Sequence, residues 1–92
     1  MIVYFIYCDG CVDCKIMERV ISETLKELGA EYDITRFNCD TDEAIDLAIE
    51  YDIDDVPACV FLNDAKTKHK KYAGPRSCQK DDVKDSVKYV GK

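Results

Sequence analysis

The sequence lacks a long hydrophobic run, an N-terminal basic leader and an excess of positive charge. The apolar run Ile2–Tyr7 is far shorter than the ~20 residues that a membrane-spanning helix needs. It follows Met1 directly, with no basic segment and no small residues of a cleavage site, so we expect no secretion signal and a cytoplasmic location. The net charge of −6 disfavours nucleic-acid binding, because neutralising phosphates supplies most of that affinity.

Repeats, linkers and low-complexity tracts are also missing from the 92 residues. We therefore expect one domain over residues 1–92 with a single core. We also expect a monomer that does not bind membranes. The only local excess of positive charge is the segment containing Lys66, Lys68, His69, Lys70 and Lys71. It is typical of an edge strand protected from self-association, and an acidic partner is the alternative. With no ligand partner nearby, His69 is predicted to be a surface residue.

Apolar residues alternate between strand-like runs and helical spacing. The predicted strands are Ile2–Tyr7, 33–39, Ala58–Leu62 and 68–73, and the predicted helices are 12–28, 41–51 and 77–90. The inward-facing positions of the helices are predicted to be Ile16, Met17, Val20, Ile21, Leu25 and Leu28, then Ala44, Ile45, Ala48 and Ile49, then Val83, Val87 and Val90. The order β-α-β-α-β-β-α predicts an α/β fold in which three helices flank a four-stranded mixed sheet.

Cys11-Val12-Asp13-Cys14 lies where the first strand gives way to a helix. The free N–H groups and positive dipole end of a first helical turn stabilise a thiolate. A second cysteine one turn later is placed to attack a mixed disulfide and release the product. We therefore predict Cys11 as the attacking thiolate and Cys14 as the resolving thiol of a dithiol–disulfide pair, with no other cofactor and no metal.

A metal site is the alternative interpretation of these cysteines. C-x-x-C is half of many zinc sites, but no second C-x-x-C or histidine pair follows. Cys8, Cys11 and Cys14 also form C-x2-C-x2-C, as in some iron–sulfur proteins. A fourth ligand would have to come from Cys39 or Cys59, and only if the fold brought one of them near. A metal-binding or peptide-binding module without turnover therefore remains open.

With these residues placed, the chain resembles the thioredoxin-like superfamily over nearly its full length. One landmark is the strand-end pair Cys11 and Cys14, and the other is the segment Tyr51-x-Ile53-x-x-Val56-Pro57. The resemblance implies a thioredoxin-like fold and a thiol–disulfide oxidoreductase. It also implies protein disulfides as substrates, with a reductase or glutathione as the electron donor.

The resemblance further implies a substrate-binding role for Val56, Pro57 and Gly74. In the family a cis proline lies beside the active site, and proline is the one residue before which a cis bond costs little. The backbone of Val56 would then pair with an incoming peptide or glutathione. Gly74 resembles a family glycine that lets the partner backbone approach closely.

Several positions depart from the patterns of known relatives. Thioredoxins usually bury a carboxylate six residues before the first cysteine, where this chain has Phe5, so Asp13 is a candidate for proton transfer by proximity alone. Glutaredoxins typically carry a lysine where Cys8 stands, and a threonine where Asp55 stands. Both changes disfavour an anionic ligand. A carrier that reduces protein disulfides is therefore preferred over a glutathione-dependent glutaredoxin-like reductase.

Four cysteines lie outside the C-x-x-C pair. Cys39 and Cys59 fall in predicted strands and are expected to be small core residues. Cys78, near the start of the last helix, is expected to be exposed. Cys8 is a possible accessory residue: it fills space under the active-site loop, forms an alternative disulfide or accepts a regulatory modification.

Overall fold

The computed structural model describes residues 1–91, so the last residue of the predicted domain, Lys92, lies outside the described part. The elements are β1 (Ile2–Tyr7), α1 (Val12–Glu27), β2 (Asp33–Asn38), α2 (Asp42–Tyr51), β3 (Ala58–Leu62), β4 (His69–Ala73) and α3 (Lys80–Val90). The four strands form one sheet in the order β2-β1-β3-β4. This confirms the predicted element order and the mixed sheet.

The pairing of β1 with its two neighbours decides which residues meet at one edge of the sheet. β1 runs parallel to β2, and their pairing ends with Tyr7 opposite Asn38. β1 runs antiparallel to β3, with Ile6 opposite Ala58. The carboxyl ends of β1 and β2 therefore meet the amino end of β3 at the same edge. The chain segments that follow β1 and β2, and the one that precedes β3, converge there.

The core has two unequal parts, one on each face of the sheet. The larger cluster includes Phe5, Ile21, Phe61 and Val83, and it joins α1 and α3 to one face. The smaller cluster joins α2 to the other face through Ile6, Ala44, Leu47 and Ala58. β3 is buried along its whole length because it is a central strand covered on both faces. The molecule is thus a three-layer arrangement in which a single helix covers one face.

Two predicted inward positions of α2 are wrong. Ile45 is 50% exposed and Ile49 is 75% exposed, whereas Ala44 and Leu47 are buried. A lone helix on a sheet face buries only a narrow stripe, so apolar residues on its flanks stay accessible. On α1, Ile16 is likewise half-exposed, and Leu28, just after the helix, is exposed.

Five boundaries also differ from the prediction. α1 ends at Glu27 and α2 begins at Asp42, each one residue from its predicted bound. α3 begins at Lys80, three residues later than predicted, and its cap is Gln79, whose N–H donates a hydrogen bond to the Asp82 carboxylate. β2 ends at Asn38 instead of continuing to Cys39. β4 begins one residue later than predicted.

The lysine-rich segment lies on and before β4, which is an edge strand as predicted. The ammonium group of Lys70 lies 5.3 Å from the centre of the Tyr89 ring, and that of Lys66 lies 5.9 Å from the Tyr4 ring. Positive charge along an exposed edge disfavours pairing with another sheet. Within residues 1–91, no helix combines the length and apolar character needed to cross a bilayer.

Candidate active site

Cys11 occupies the cap position at the start of α1. Its backbone is extended, and its Sγ accepts a hydrogen bond of 3.0 Å from the backbone N–H of Cys14. Gly10, just before it, has a φ of +71°, which glycine adopts without steric cost. The Cys11 side chain is half-buried, so its sulfur remains accessible. The same sulfur accepts a backbone N–H and lies at the positive end of the helix dipole. Cys11 is therefore the sulfur of the pair that an incoming disulfide can reach.

Cys14 lies in a different environment one helical turn later. Its residue is only 3% exposed, and its Sγ accepts a hydrogen bond of 3.5 Å from the backbone N–H of Cys8. Burial, and after it the hydrogen bond with the Cys11 side chain, together raise the pKa of the Cys14 thiol to about 11. The negative charge of Asp13 adds a smaller upward effect on this pKa. Both thiols of the pair are free in the structure.

A cavity of about 190 Å³ lies beside the two sulfurs. Its lining includes both cysteines of the pair, Phe5, Glu18 and Arg36. Glu18 and Arg36 form an ion pair of 2.6 Å across the outer wall. Phe5 is fully buried at the place where the superfamily resemblance would put a carboxylate, so the nearest lining carboxylates come from other positions. Charged side chains contribute to the lining, and the cavity is large enough to hold water beside the buried thiol.

The segment before β3 carries two of the residues that the resemblance assigns to substrate binding. The Val56–Pro57 peptide bond is cis, and the Pro57 carbonyl accepts a hydrogen bond of 2.9 Å from the Gly74 N–H. The Val56 N–H, which the resemblance assigns to a bound peptide, donates 2.8 Å to the carboxylate of Asp55. Gly74 is buried with a φ of +101°, and a Cβ there would lie 2.9 Å from the Asp55 carboxylate. Gly74 therefore makes room for a side chain of its own chain.

The structure contains a disulfide that the strand and core assignments missed. Cys8 and Cys39 are bonded to each other, with Cα atoms 5.3 Å apart, inside the usual range. Each follows the last residue of a strand, and those last residues, Tyr7 and Asn38, are opposite each other in the parallel register. The expectation of Cys39 as a buried core residue is therefore wrong, because it lies past the strand and is partly exposed. The signal available in the sequence was a cysteine directly after each of two neighbouring parallel strands.

The remaining two cysteines are buried together. Cys59 is 0% exposed on β3, as predicted, and Cys78 is 2% exposed, which corrects the expectation that it is accessible. The segment before α3 folds under the helix and brings the two thiols into hydrogen-bond contact. That contact and burial raise the pKa of Cys59. Both are small apolar-like side chains of the larger core.

A second cavity of about 170 Å³ lies on the other side of the Cys8–Cys39 disulfide. Cys39, Ile45, Ile53 and Val56 contribute to its lining. The disulfide thus separates a cavity next to the C-x-x-C pair from one next to the cis-proline segment. In the described part of the chain, no three His, Cys, Asp or Glu side chains are grouped as ligands for one metal ion.

The fold and the paired thiols at the helix start are those of the thioredoxin-like superfamily. A sequence model of the family described as Thioredoxin matches residues 1–88, and the chain belongs to this family. This confirms the resemblance drawn from the sequence.

Solved structures show the same fold. A thioredoxin-like protein from Clostridium perfringens has a TM-score of 0.78 and 25% identity, over 98% of this chain and 70% of that one. A protein described as malarial has a TM-score of 0.62 and 17% identity, over 95% of this chain and 92% of that one. The germline-specific thioredoxin Deadhead from Drosophila melanogaster has a TM-score of 0.63 and 21% identity, over 91% of this chain and 74% of that one.

Proposed function

We propose that this protein reduces protein disulfides, with Cys11 as the nucleophile and Cys14 as the resolving thiol. The observation that carries the proposal is the asymmetry of the two sulfurs. Cys11 Sγ is accessible and accepts the Cys14 N–H at the helix start, whereas Cys14 is buried with a raised pKa. A nucleophile must be ionised and reachable, and a resolving thiol must stay protonated until it is needed.

The reaction has two exchange steps. The Cys11 thiolate attacks a substrate disulfide, forming a mixed disulfide and releasing the first substrate sulfur as a thiolate that takes up a proton. Cys14 then loses its proton and attacks Cys11 Sγ, which forms the Cys11–Cys14 disulfide and releases the second substrate thiol. Two electrons and two protons pass to the substrate. An external dithiol or reductase returns the pair to the reduced state.

The first step itself prepares the second. A hydrogen bond and a charge interaction with Cys11 are among the causes that raise the Cys14 pKa. When Cys11 becomes part of a mixed disulfide it no longer carries a negative charge, so the Cys14 pKa falls toward the value set by burial. The proton can leave through water in the adjoining cavity, whose wall includes Glu18. Asp13 remains the candidate acceptor suggested by proximity in the sequence.

The surroundings of the site favour protein substrates over glutathione. Asp55 places a carboxylate beside the segment that would hold an anionic ligand. Next to Cys11, Val12 is 69% exposed and Ile16 is 50% exposed, which gives a protein substrate an apolar contact surface. We propose a monomer in the cytoplasm, supplied with electrons by a reductase, with Val56 and Pro57 holding the substrate backbone.

Insulin-disulfide reduction with dithiothreitol tests this function. Wild-type protein should accelerate the reaction, and Cys11→Ser should lose the acceleration, because serine keeps the helix cap but not the thiolate. Cys78→Ser, which removes a buried thiol that does not line the cavity beside the pair, is the matched control and should stay active. Activity that survives Cys11→Ser contradicts the proposal. An inactive wild type that retains stoichiometric zinc or iron supports the metal-binding alternative instead.

The substrate can be identified with Cys14→Ser. Without the resolving thiol, the mixed disulfide between Cys11 and its substrate should accumulate in a cell extract. Mass spectrometry of the trapped species then names the partner. Trapping that also occurs with the Cys11→Ser, Cys14→Ser double variant would show that another cysteine is reacting.

A further inference from the structure

Cys8, one of the two residues of the Cys8–Cys39 disulfide, is hydrogen-bonded through its backbone to both cysteines of the C-x-x-C pair. The Cys8 N–H donates to Cys14 Sγ at 3.5 Å, and the Cys8 carbonyl accepts from the Cys11 N–H at 3.4 Å. Cys8 also lines the same cavity as Cys11 and Cys14. The structure therefore places an oxidised cysteine pair beside a reduced one.

We propose that Cys8 and Cys39 form a second redox pair, which exchanges electrons internally with Cys11 and Cys14. This inference rests on the proposed role of Cys11 as a nucleophile, and it adds a site to the one already described. The protein would then hold four electrons when both pairs are reduced, and two in the state that the structure shows.

The turn between Cys8 and Cys11 brings the Cα atoms of these two residues close together. A hydrogen bond from residue i+3 to the carbonyl of residue i marks a β-turn, in which the two Cα atoms are less than ~7 Å apart. Disulfides form at Cα separations of about 4.4–6.8 Å, so a Cys8–Cys11 bond needs little backbone movement. Gly10, inside this turn, has open space around its Cα, so nothing nearby blocks an adjustment.

The exchange balances without any added oxidant. The Cys11 thiolate attacks Cys8 Sγ, forming the Cys8–Cys11 bond and releasing Cys39 as a thiolate, which takes up a proton. Cys14 loses its proton and attacks Cys11 Sγ, forming the Cys11–Cys14 disulfide and releasing Cys8 as a thiolate, which is protonated in turn. One disulfide is reduced, one is formed, and two protons move between the pairs.

The two cavities give the second pair its own access to a partner. Cys8 faces the cavity shared with the C-x-x-C pair, whereas Cys39 lines the cavity next to Val56 and the exposed side chain of Ile45. Electrons can therefore enter through Cys11 and leave through Cys39, which is partly exposed. The Cys59 and Cys78 thiols lack this arrangement, since both are buried in the core.

Reduction kinetics distinguish a redox relay from a purely structural disulfide. Protein with Cys8–Cys39 oxidised is exposed to ~0.1 mM dithiothreitol, quenched with acid, alkylated and mapped by mass spectrometry. A thiol tethered beside the disulfide has an effective concentration of about 1 mM or more, so loss of Cys11 should slow reduction of Cys8–Cys39 about tenfold. Cys78→Ser should match the wild type. Equal rates in the wild type and Cys11→Ser would overturn the relay.

Two further measurements keep this inference separate from the proposed function. Cys14→Ser lacks the resolving thiol, so a fraction of the molecules should carry a Cys8–Cys11 disulfide with Cys39 as a free thiol. Absence of the corresponding disulfide-linked peptide would contradict the relay. Insulin reduction is measured on the same samples. If Cys11→Ser loses insulin reduction but its Cys8–Cys39 disulfide is still reduced at the wild-type rate, only the relay is contradicted. If Cys11→Ser slows reduction of Cys8–Cys39 but the wild type does not reduce insulin, only the action on protein substrates is contradicted.

Discussion

The raised pKa of Cys14 makes its alkylation rate a sensitive report on the site. In the wild type, burial and the hydrogen bond with Cys11 raise this pKa to about 11 from an ordinary value of 9.0. Replacing Cys11 with alanine removes the hydrogen bond and the charge but not the burial. We therefore expect Cys14 to react faster in Cys11→Ala than in the wild type, with Cys11→Ser, which keeps a hydrogen-bonding side chain, in between.

The magnitude follows from the fraction of thiolate. At pH 8, a thiol with a pKa of 9.0 is about one-tenth ionised, whereas one with a pKa of about 11 is roughly one-thousandth ionised. The whole shift corresponds to about a hundredfold in reactive species, or about 2.7 kcal/mol, and Cys11→Ala should recover only the part that Cys11 contributes, because the burial is retained. Burial of the sulfur slows alkylation further. The shape of the pH profile is therefore more informative than the absolute rate.

The assay is iodoacetamide alkylation of reduced protein between pH 7 and 10, followed by peptide mapping that separates Cys14 from the other thiols. The wild-type rate at Cys14 should rise about tenfold per pH unit across this range without levelling off. In Cys11→Ala the profile should bend at a lower pH. A wild-type rate that levels off near pH 9, or an identical profile in Cys11→Ala, would refute the assigned environment of Cys14.

Two other predictions concern stability, measured by urea unfolding. Gly74→Ala places a Cβ 2.9 Å from the Asp55 carboxylate at a φ of +101°, and should cost about 1–3 kcal/mol. Adding Asp55→Ala should recover the steric part of that loss, and an equal loss in the double variant would show that the contact is unimportant. Phe61→Ala empties a fully buried site and should cost about 3–5 kcal/mol. Ile49→Ala, at a side chain 75% exposed, should change stability by less than about 0.5 kcal/mol, and a similar loss at both positions would contradict the two-face core.

The sequence predicted the strands and helices because the apolar pattern of each element is strong. Ile2–Tyr7 and Ala58–Leu62 are uninterrupted runs, as central strands require, and both have the predicted bounds. The start of α1, which Cys11 caps, could be predicted because the turn residues before Cys11 and the helical spacing after it indicate the same boundary.

What the sequence did not predict depends on how elements meet. A helical stripe shows that one side of α2 is apolar, but not how wide a strip the sheet covers, so Ile45 and Ile49 were assigned wrongly to the core. The Cys8–Cys39 bond follows from a parallel register that no local pattern specifies. Cys78 was expected to be accessible, and the prediction was wrong because the path of the segment before α3 is set by tertiary packing, which the local sequence does not specify.

Asp55 bears on which proteins the proposed site would accept. Its carboxylate accepts a hydrogen bond from the Val56 N–H, so a substrate strand held by Val56, as proposed above, must displace this hydrogen bond. The displaced carboxylate then faces the newcomer, which repels acidic sequences and attracts basic ones. We expect a peptide disulfide flanked by lysines to be reduced faster than one flanked by glutamates, and Asp55→Asn to narrow that gap. If the wild type reduces both peptides at the same rate, Asp55 does not select substrates by charge.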